Sequence, residues 1–396
     1  MQARHLLVVA VLSAPALAMA QAADPPAEPE PEPKQEAATP APAPAPVATP
    51  GPTNDLVDKP VEQAKFKWEP FGYLRMQYIA VQNDPNVEFV GRDDGFELQN
   101  ARVGVRGDLQ GVARFTISID GAVDERAQND PQGKLRVGLR DAYVDFWMGG
   151  DLAIRGGYFQ TWVDPNALVA DTSREFVDKP IETRGMRSTE GWYTQGLPPG
   201  RSLGAAVRME PEEANKVGLE VAVQNGADEF ASNNDNDKPA VSAAVMFKLA
   251  SEGFIVAAAR WNPRTVGDLP FRQDETDIQG SLGAQVNAGA ISLGAGGIVQ
   301  RTTFESTGGP VQNAFGAHAQ LMFKLPGRPL AVGYRFGILD PSSLIVTDRV
   351  IEHTAGAVAG VPQWRMRVQL QLTHVMEQAA RELSNSRIQL AAEVSL

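Results

Sequence analysis

The sequence has no cysteine and only four histidines among its 396 residues. The first absence removes disulfides, thiol catalysis and cysteine metal sites together. The second leaves His318, His353 and His374 beyond the N-terminus, with no H-E-x-x-H and no paired metal spacing. No cofactor or metal is therefore expected, and an enzyme has little to work with. Basic charge is also scarce: the formal net charge of -12 argues against nucleic acid as a partner. After the first residues, no run reaches the roughly eighteen apolar residues of a spanning helix, so any membrane embedding must use strands.

Two local patterns carry less than they suggest. Asn233-Asn234-Asp235-Asn236-Asp237 offers oxygen ligands on alternate residues but lacks the following glycine and distal glutamate of a calcium loop. Gly294-Ala295-Gly296-Gly297 opens no helix and is no nucleotide fingerprint.

The N-terminus begins with Arg4 and His5, continues through an apolar stretch from Leu6 to Leu12, and reaches Ala18-Met19-Ala20, a small-x-small cleavage site. It reads as a secretory signal peptide within residues 1–22, cleaved after Ala20 or after Ala22. Residues 23–65 form a leader rich in Pro, Ala and Glu, exemplified by Ala41-Pro42-Ala43-Pro44-Ala45-Pro46. Such a tract cannot build a core and is expected to be a disordered, polyproline-like coil in the periplasm. Its Pro-rich part, residues 23 to about 53, straightened at ~3.1 Å per residue would reach on the order of 90 Å, enough to serve as a spacer to the cell wall or a partner.

Residues 66–396 alternate apolar and polar side chains. Leu74, Met76, Tyr78 and Ala80 share one face with Arg75 and Gln77 between them; Trp364, Met366, Val368, Leu370 and Leu372 oppose Arg365, Arg367, Gln369 and Gln371. A soluble sandwich would bury the apolar face equally well. Arginines recurring mid-strand on the other face, without long apolar runs, favour a membrane barrel. The pattern predicts sixteen strands: 68–80, 96–109, 112–124, 135–148, 151–161, 202–210, 216–225, 241–249, 253–262, 277–287, 290–303, 313–325, 329–339, 348–359, 363–376 and 386–396.

Short links follow the even strands and long links the odd ones, which is the topology of an all-β, 16-stranded antiparallel transmembrane β-barrel with short periplasmic turns and long extracellular loops. Trp68, Trp147, Trp261 and Trp364 are expected at strand ends, where the ring suits the headgroup level. Two places break parity: Leu135, Val137 and Leu139 with Asp141 and Asp145, and Phe96 and Leu98 with Arg102. A β-bulge or strand ends standing above the bilayer would each account for them.

The runs Gly95-Phe96-Glu97-Leu98-Gln99-Asn100-Ala101-Arg102-Val103-Gly104-Val105-Arg106-Gly107, Leu139-Arg140-Asp141-Ala142-Tyr143-Val144-Asp145 and Arg155-Gly156-Gly157-Tyr158-Phe159 resemble early strands of the phosphate-selective porin O and P family. The resemblance implies a porin, usually a homotrimer, whose third loop folds inward to narrow the pore. It also implies an arginine ladder on the wall, for which parity offers Arg75, Arg102, Arg106, Arg155, Arg335, Arg365, Arg367 and Arg387. The third loop, 162–200, mixes Arg174, Lys179, Arg184 and Arg187 with Asp164, Asp171, Glu175, Asp178, Glu182 and Glu190, and has no lysine cluster.

Opposed charges across a constriction screen solutes by size and charge. Arginine suits an anion path because its charge persists and its fork pairs with carboxylate or phosphate. The expected function is passive diffusion of small hydrophilic solutes or ions, with anions or phosphate preferred, through a barrel set in outer-membrane lipid. The alternative is an anchor: a plugged barrel whose leader binds periplasmic partners. His318, inward by parity, leaves a wall-mounted Ser-His hydrolase conceivable, but no serine motif accompanies it.

Overall fold

Alternation with period two leaves each strand one face for lipid and one for the interior, and closing the sheet satisfies every edge. The computed structural model describes residues 66–92, 94–121, 137–211, 213–226, 236–250, 253–266, 272–305, 309–378 and 382–396. The signal peptide and leader expected in 1–65 lie outside the described residues, as does most of the Asn233 to Asp237 run.

In chain order the strands are β1 (Phe66–Val81), β2 (Gly95–Leu109), β3 (Ala113–Asp120), β4 (Gly138–Gly149), β5 (Leu152–Phe159), β6 (Gly185–Met186), β7 (Thr194–Gln195), β8 (Ser202–Met209) and β9 (Val217–Gln224). They continue with β10 (Ala240–Lys248), β11 (Phe254–Val266), β12 (Gln273–Ala288), β13 (Ile291–Phe304), β14 (Val311–Lys324), β15 (Leu330–Asp340), β16 (Arg349–Val361), β17 (Met366–Gln378) and β18 (Arg387–Ser395). All but β6 and β7 form one closed antiparallel barrel of sixteen strands. β1 closes on β18, from Tyr73 opposite Ser395 to Val81 opposite Arg387. β6 and β7 pair only with each other, inside the third loop.

Burial separates the two faces. On β1, Leu74, Met76 and Tyr78 are 52%, 49% and 43% exposed, whereas Arg75 and Gln77 between them are 0% and 1% exposed. The first set meets lipid and the second lies inside. Glycines with positive φ make two of the tight turns at the short-turn rim, Gly111 at 74° and Gly289 at 60°, a conformation that costs other residues Cβ strain.

Both parity breaks are bulges. The β1–β2 register steps from Arg75 opposite Asn100 to Met76 opposite Leu98, skipping Gln99. The β3–β4 register steps from Ser118 opposite Asp141 to Ile119 opposite Leu139, skipping Arg140. One extra residue resets parity, so Leu139 faces outward while Asp141 and Asp145 are buried inside.

The turn between β16 and β17 differs from expectation. β17 begins at Met366, because Pro362–Trp364 forms a 3-10 turn and Arg365 adopts a left-handed φ of 47°. Trp364 and Arg365 are exposed on this turn and belong to neither wall face. Pro362 supplies the constraint: it cannot donate to the strand ladder and is pre-set to start a turn. Of the other tryptophans, Trp261 faces outward within β11, while Trp147 lies over Arg114 with 5.1 Å between guanidinium and ring centroid.

Candidate functional site: the loop-filled lumen

The third loop runs inside the barrel from the end of β5 to the start of β8. It carries 3-10 turns at Pro165–Leu168 and Asp171–Ser173 and one helical turn, α1 (Ile181–Arg184). Asp164 caps the first turn, accepting from the Asn166 amide at 2.9 Å. Apolar loop residues pack on the wall: Ile181, Met186 and Leu197 cluster with Ile298, Ala314, Leu339, Val350 and Val375. Fully burying a side chain such as Ile181 contributes about 1.5–3 kcal/mol, so part of the lumen has its own small core.

Glycines on the inward face make the seat. A Cβ at Gly356 would stand 2.8 Å from the Phe176 ring and one at Gly337 would stand 3.0 Å from Ile181. At Gly316 it would collide with Glu182, and at Gly283 with Pro165. These glycines lie on β12, β14, β15 and β16, so the notch follows the loop across four strands.

Several of the inward arginines meet the loop rather than open water. Arg367 donates to the carbonyls of Arg174 at 2.6 Å and Asp171 at 2.9 Å, and Arg75 also reaches the Asp171 carbonyl, at 2.7 Å. Both guanidiniums share Glu393 of β18. Arg102 joins Asp141 and lies 3.3 Å from the Asp171 carboxylate, which also pairs with Arg174. Burial would raise the Asp171 carboxyl, but Arg174, Arg140, Lys179 and Arg102 outweigh it and hold it well below the usual carboxylate range.

A second knot surrounds α1. Arg184 binds Glu190 and Glu352, each at 2.6 Å, and lies 3.9 Å from Asp178. Arg387 binds Glu352 at 2.8 Å and lies 3.6 Å from Asp178, while Arg335 donates to the Asp178 carbonyl at 2.8 Å. Arg187 reaches Glu97 at 3.0 Å, and Glu182 pairs with His318 on β14. Burial opposes ionisation of Asp178 and Glu190, yet the surrounding arginines keep both below their ordinary values. Asp164 and Glu175 go the other way, pushed up chiefly by burial.

Seven of the eight arginines proposed for the wall thus point inward, and Arg365 does not. Arg155 pairs with Asp145 at 2.7 Å, and Arg106 stacks on Phe71 at 4.3 Å. What sequence reasoning missed is the matching set of wall carboxylates: Glu97, Glu220, Glu352 and Glu393. One pair was within reach. Arg208 and Glu220 are opposite each other across the short turn between β8 and β9, so counting outward from that turn finds them.

Two of the chambers among the described residues have no lining residue in common. One, of about 310 Å³, is lined by seven basic and four acidic side chains, among them Arg102, Arg106, Arg155, Lys179, Arg201 and Arg208. The other, of about 600 Å³, lies where the loop's Trp192 to Gly200 segment faces β11, β12 and the start of β16. Among the described residues no three His, Asp or Glu side chains gather as a metal site.

A closed sixteen-strand barrel with an inward third loop and arginines on its wall is the frame of a porin, and the family model for phosphate-selective porin O and P matches residues 72–289. The chain belongs to that family. A search of the curated proteins finds no match. Among solved structures, the porin resembles the anion-selective porin from Comamonas acidovorans at 14% identity and TM-score 0.59, covering 84% of this chain and 100% of that one. It also resembles the outer membrane channel DcaP of Acinetobacter baumannii at 13% and 0.59, covering 84% and 97%. OprB of Pseudomonas putida matches at 13% and 0.54, covering 83% and 94%. Identities this low establish the shared fold. Family and fold together make this an outer-membrane channel protein.

Proposed function

We propose that the porin is a passive diffusion channel for small hydrophilic solutes and ions, with a mild preference for anions and the third loop as its constriction. The carrying observation is the smaller chamber, where basic side chains outnumber acidic ones seven to four in a space walled off from lipid. Arg106 contributes most directly, since it is exposed to this space and its neighbour is the Phe71 ring. The similar porin from Comamonas acidovorans is described as anion-selective, which agrees with this sign. Phosphate selectivity has weaker support, because most wall arginines are already neutralised by carboxylates. In this reading the mature chain assembles as a homotrimer, short turns and leader face the periplasm, and the signal peptide directs export.

The decisive experiment is a planar-bilayer recording of the purified protein under a salt gradient. Steady conductance with an anion-directed reversal potential is expected; a cation-directed potential overturns the preference. The absence of conductance would instead favour a plugged anchor, a reading supported by inward Gln371 and Gln389, both 0% exposed beneath the loop.

A further inference from the structure

The larger chamber has a chemistry unlike that of the basic one. Its charged groups balance, Arg260, Arg264 and Arg349 against Asp277, Asp348 and Glu377. Two of these cations are held by carboxylates: Arg264 lies 2.9 Å from Asp277, and Arg349 lies 2.9 Å from Asp340. Amides line the same stretch of wall as a fixed ladder, Gln279 standing directly opposite Arg260 in the β11–β12 register. Gln279 donates to Gln300 at 2.9 Å and to the Leu197 carbonyl at 2.8 Å, and Gln300 donates to Asp277 at 3.2 Å. At the mouth, Trp192 and Tyr193 are about half exposed, and Trp192 is braced edge-on by Phe89 at 5.5 Å.

Asn262 and Glu377, both more than nine-tenths buried on the chamber wall, each carry a side-chain oxygen with no donor among the described residues. A free phosphate would meet three carboxylates. An inorganic cation would meet three guanidiniums. A neutral solute rich in hydroxyls supplies both donors and acceptors, and its C–H faces can lie on an exposed aromatic ring.

We propose that this chamber is a binding vestibule for a neutral polyhydroxylated solute of mono- to trisaccharide size, with Trp192 and Tyr193 as stacking platform and the Gln279–Gln300 ladder as hydroxyl reader. The volume of about 600 Å³ falls within the range of ordinary small-molecule pockets. Hydrogen bonds that fix the ladder before the solute arrives lower the ordering cost of binding. The proposal rests on the channel reading above and names a solute class for it.

The test uses the mature protein in planar bilayers with maltose added to the long-loop side, and glycine and inorganic phosphate as comparison solutes. Maltose should reduce the ion current saturably, and Trp192→Ala should weaken half-blockage about tenfold. Attenuation that rises linearly and equals that of a viscosity-matched glycerol solution overturns the proposal. So does stronger blockage by glycine or phosphate. Gln300→Leu, away from the loop, should weaken the block as well, and covers the case in which Trp192→Ala fails to fold. Tryptophan fluorescence titrated with maltose in detergent separates the two readings. Binding without conductance would leave the vestibule and remove the channel; conductance with neither block nor fluorescence change would leave the channel and remove the vestibule.

Discussion

Gly316 lies on β14 directly beneath Glu182 of the third loop, and replacing it with alanine should shift the loop's docking without breaching the barrel. The added Cβ would fall inside the contact distance of Glu182 and 3.1 Å from the Ile338 carbonyl oxygen, leaving it no free volume. Overpacking of this kind costs about 1–3 kcal/mol. That moves a docking equilibrium by roughly 5- to 150-fold. The barrel wall should tolerate the change, because the Ile338 carbonyl need give by only a few tenths of an ångström and alanine is compatible with extended backbone. Single-channel recording is the assay: Gly316→Ala should broaden the conductance distribution and add current noise as the loop leaves its seat. The Gly316→Ala, Glu182→Gly double variant removes the Cβ that is struck and should return the trace toward the parent. Unchanged conductance and noise in the single variant would refute the idea that the wall glycines seat the loop.

Other consequences follow from register and charge. Arg367→Ala should move the reversal potential toward cations, whereas Arg365→Ala, on the exposed turn, should leave it unchanged; equal shifts would show that the β17 register is misassigned. Burial, helped by Asp340, pushes the Asp348 carboxyl up to about 6. Because its folded value exceeds the unfolded one, it takes up a proton as pH falls through about 6, removing a negative charge from the larger chamber. Anion preference should therefore rise between pH 7 and 5, and Asp348→Asn should reduce that rise. Leu390→Arg would place a charge on the lipid face of β18 and should cost about 2–4 kcal/mol in equilibrium refolding into vesicles. A loss below about 0.5 kcal/mol would indicate that this face is not in lipid.

Local pattern along the chain was enough to specify the barrel, its strand number and the inward direction of most arginines. These follow from local rules: side chains alternate along a strand, and turns announce themselves by glycine, proline and length. Even the bulges at Gln99 and Arg140 were visible as breaks in parity. The final turn was misjudged because Trp364 and Arg365 keep the alternation on paper while Pro362 ends the ladder. What the arginines do depends on contacts made across the folded barrel. Arg75 meets Glu393 across the seam where the first strand closes on the last, 318 residues away, and Arg184 meets Glu352 across the lumen. No period in the chain encodes such distances. The wall glycines show the same limit, since a missing side chain in a strand signals a close approach but not by what. Closure of the barrel and entry of the loop turn a ladder of charges into a set of neutralised pairs with two unlike chambers beside it.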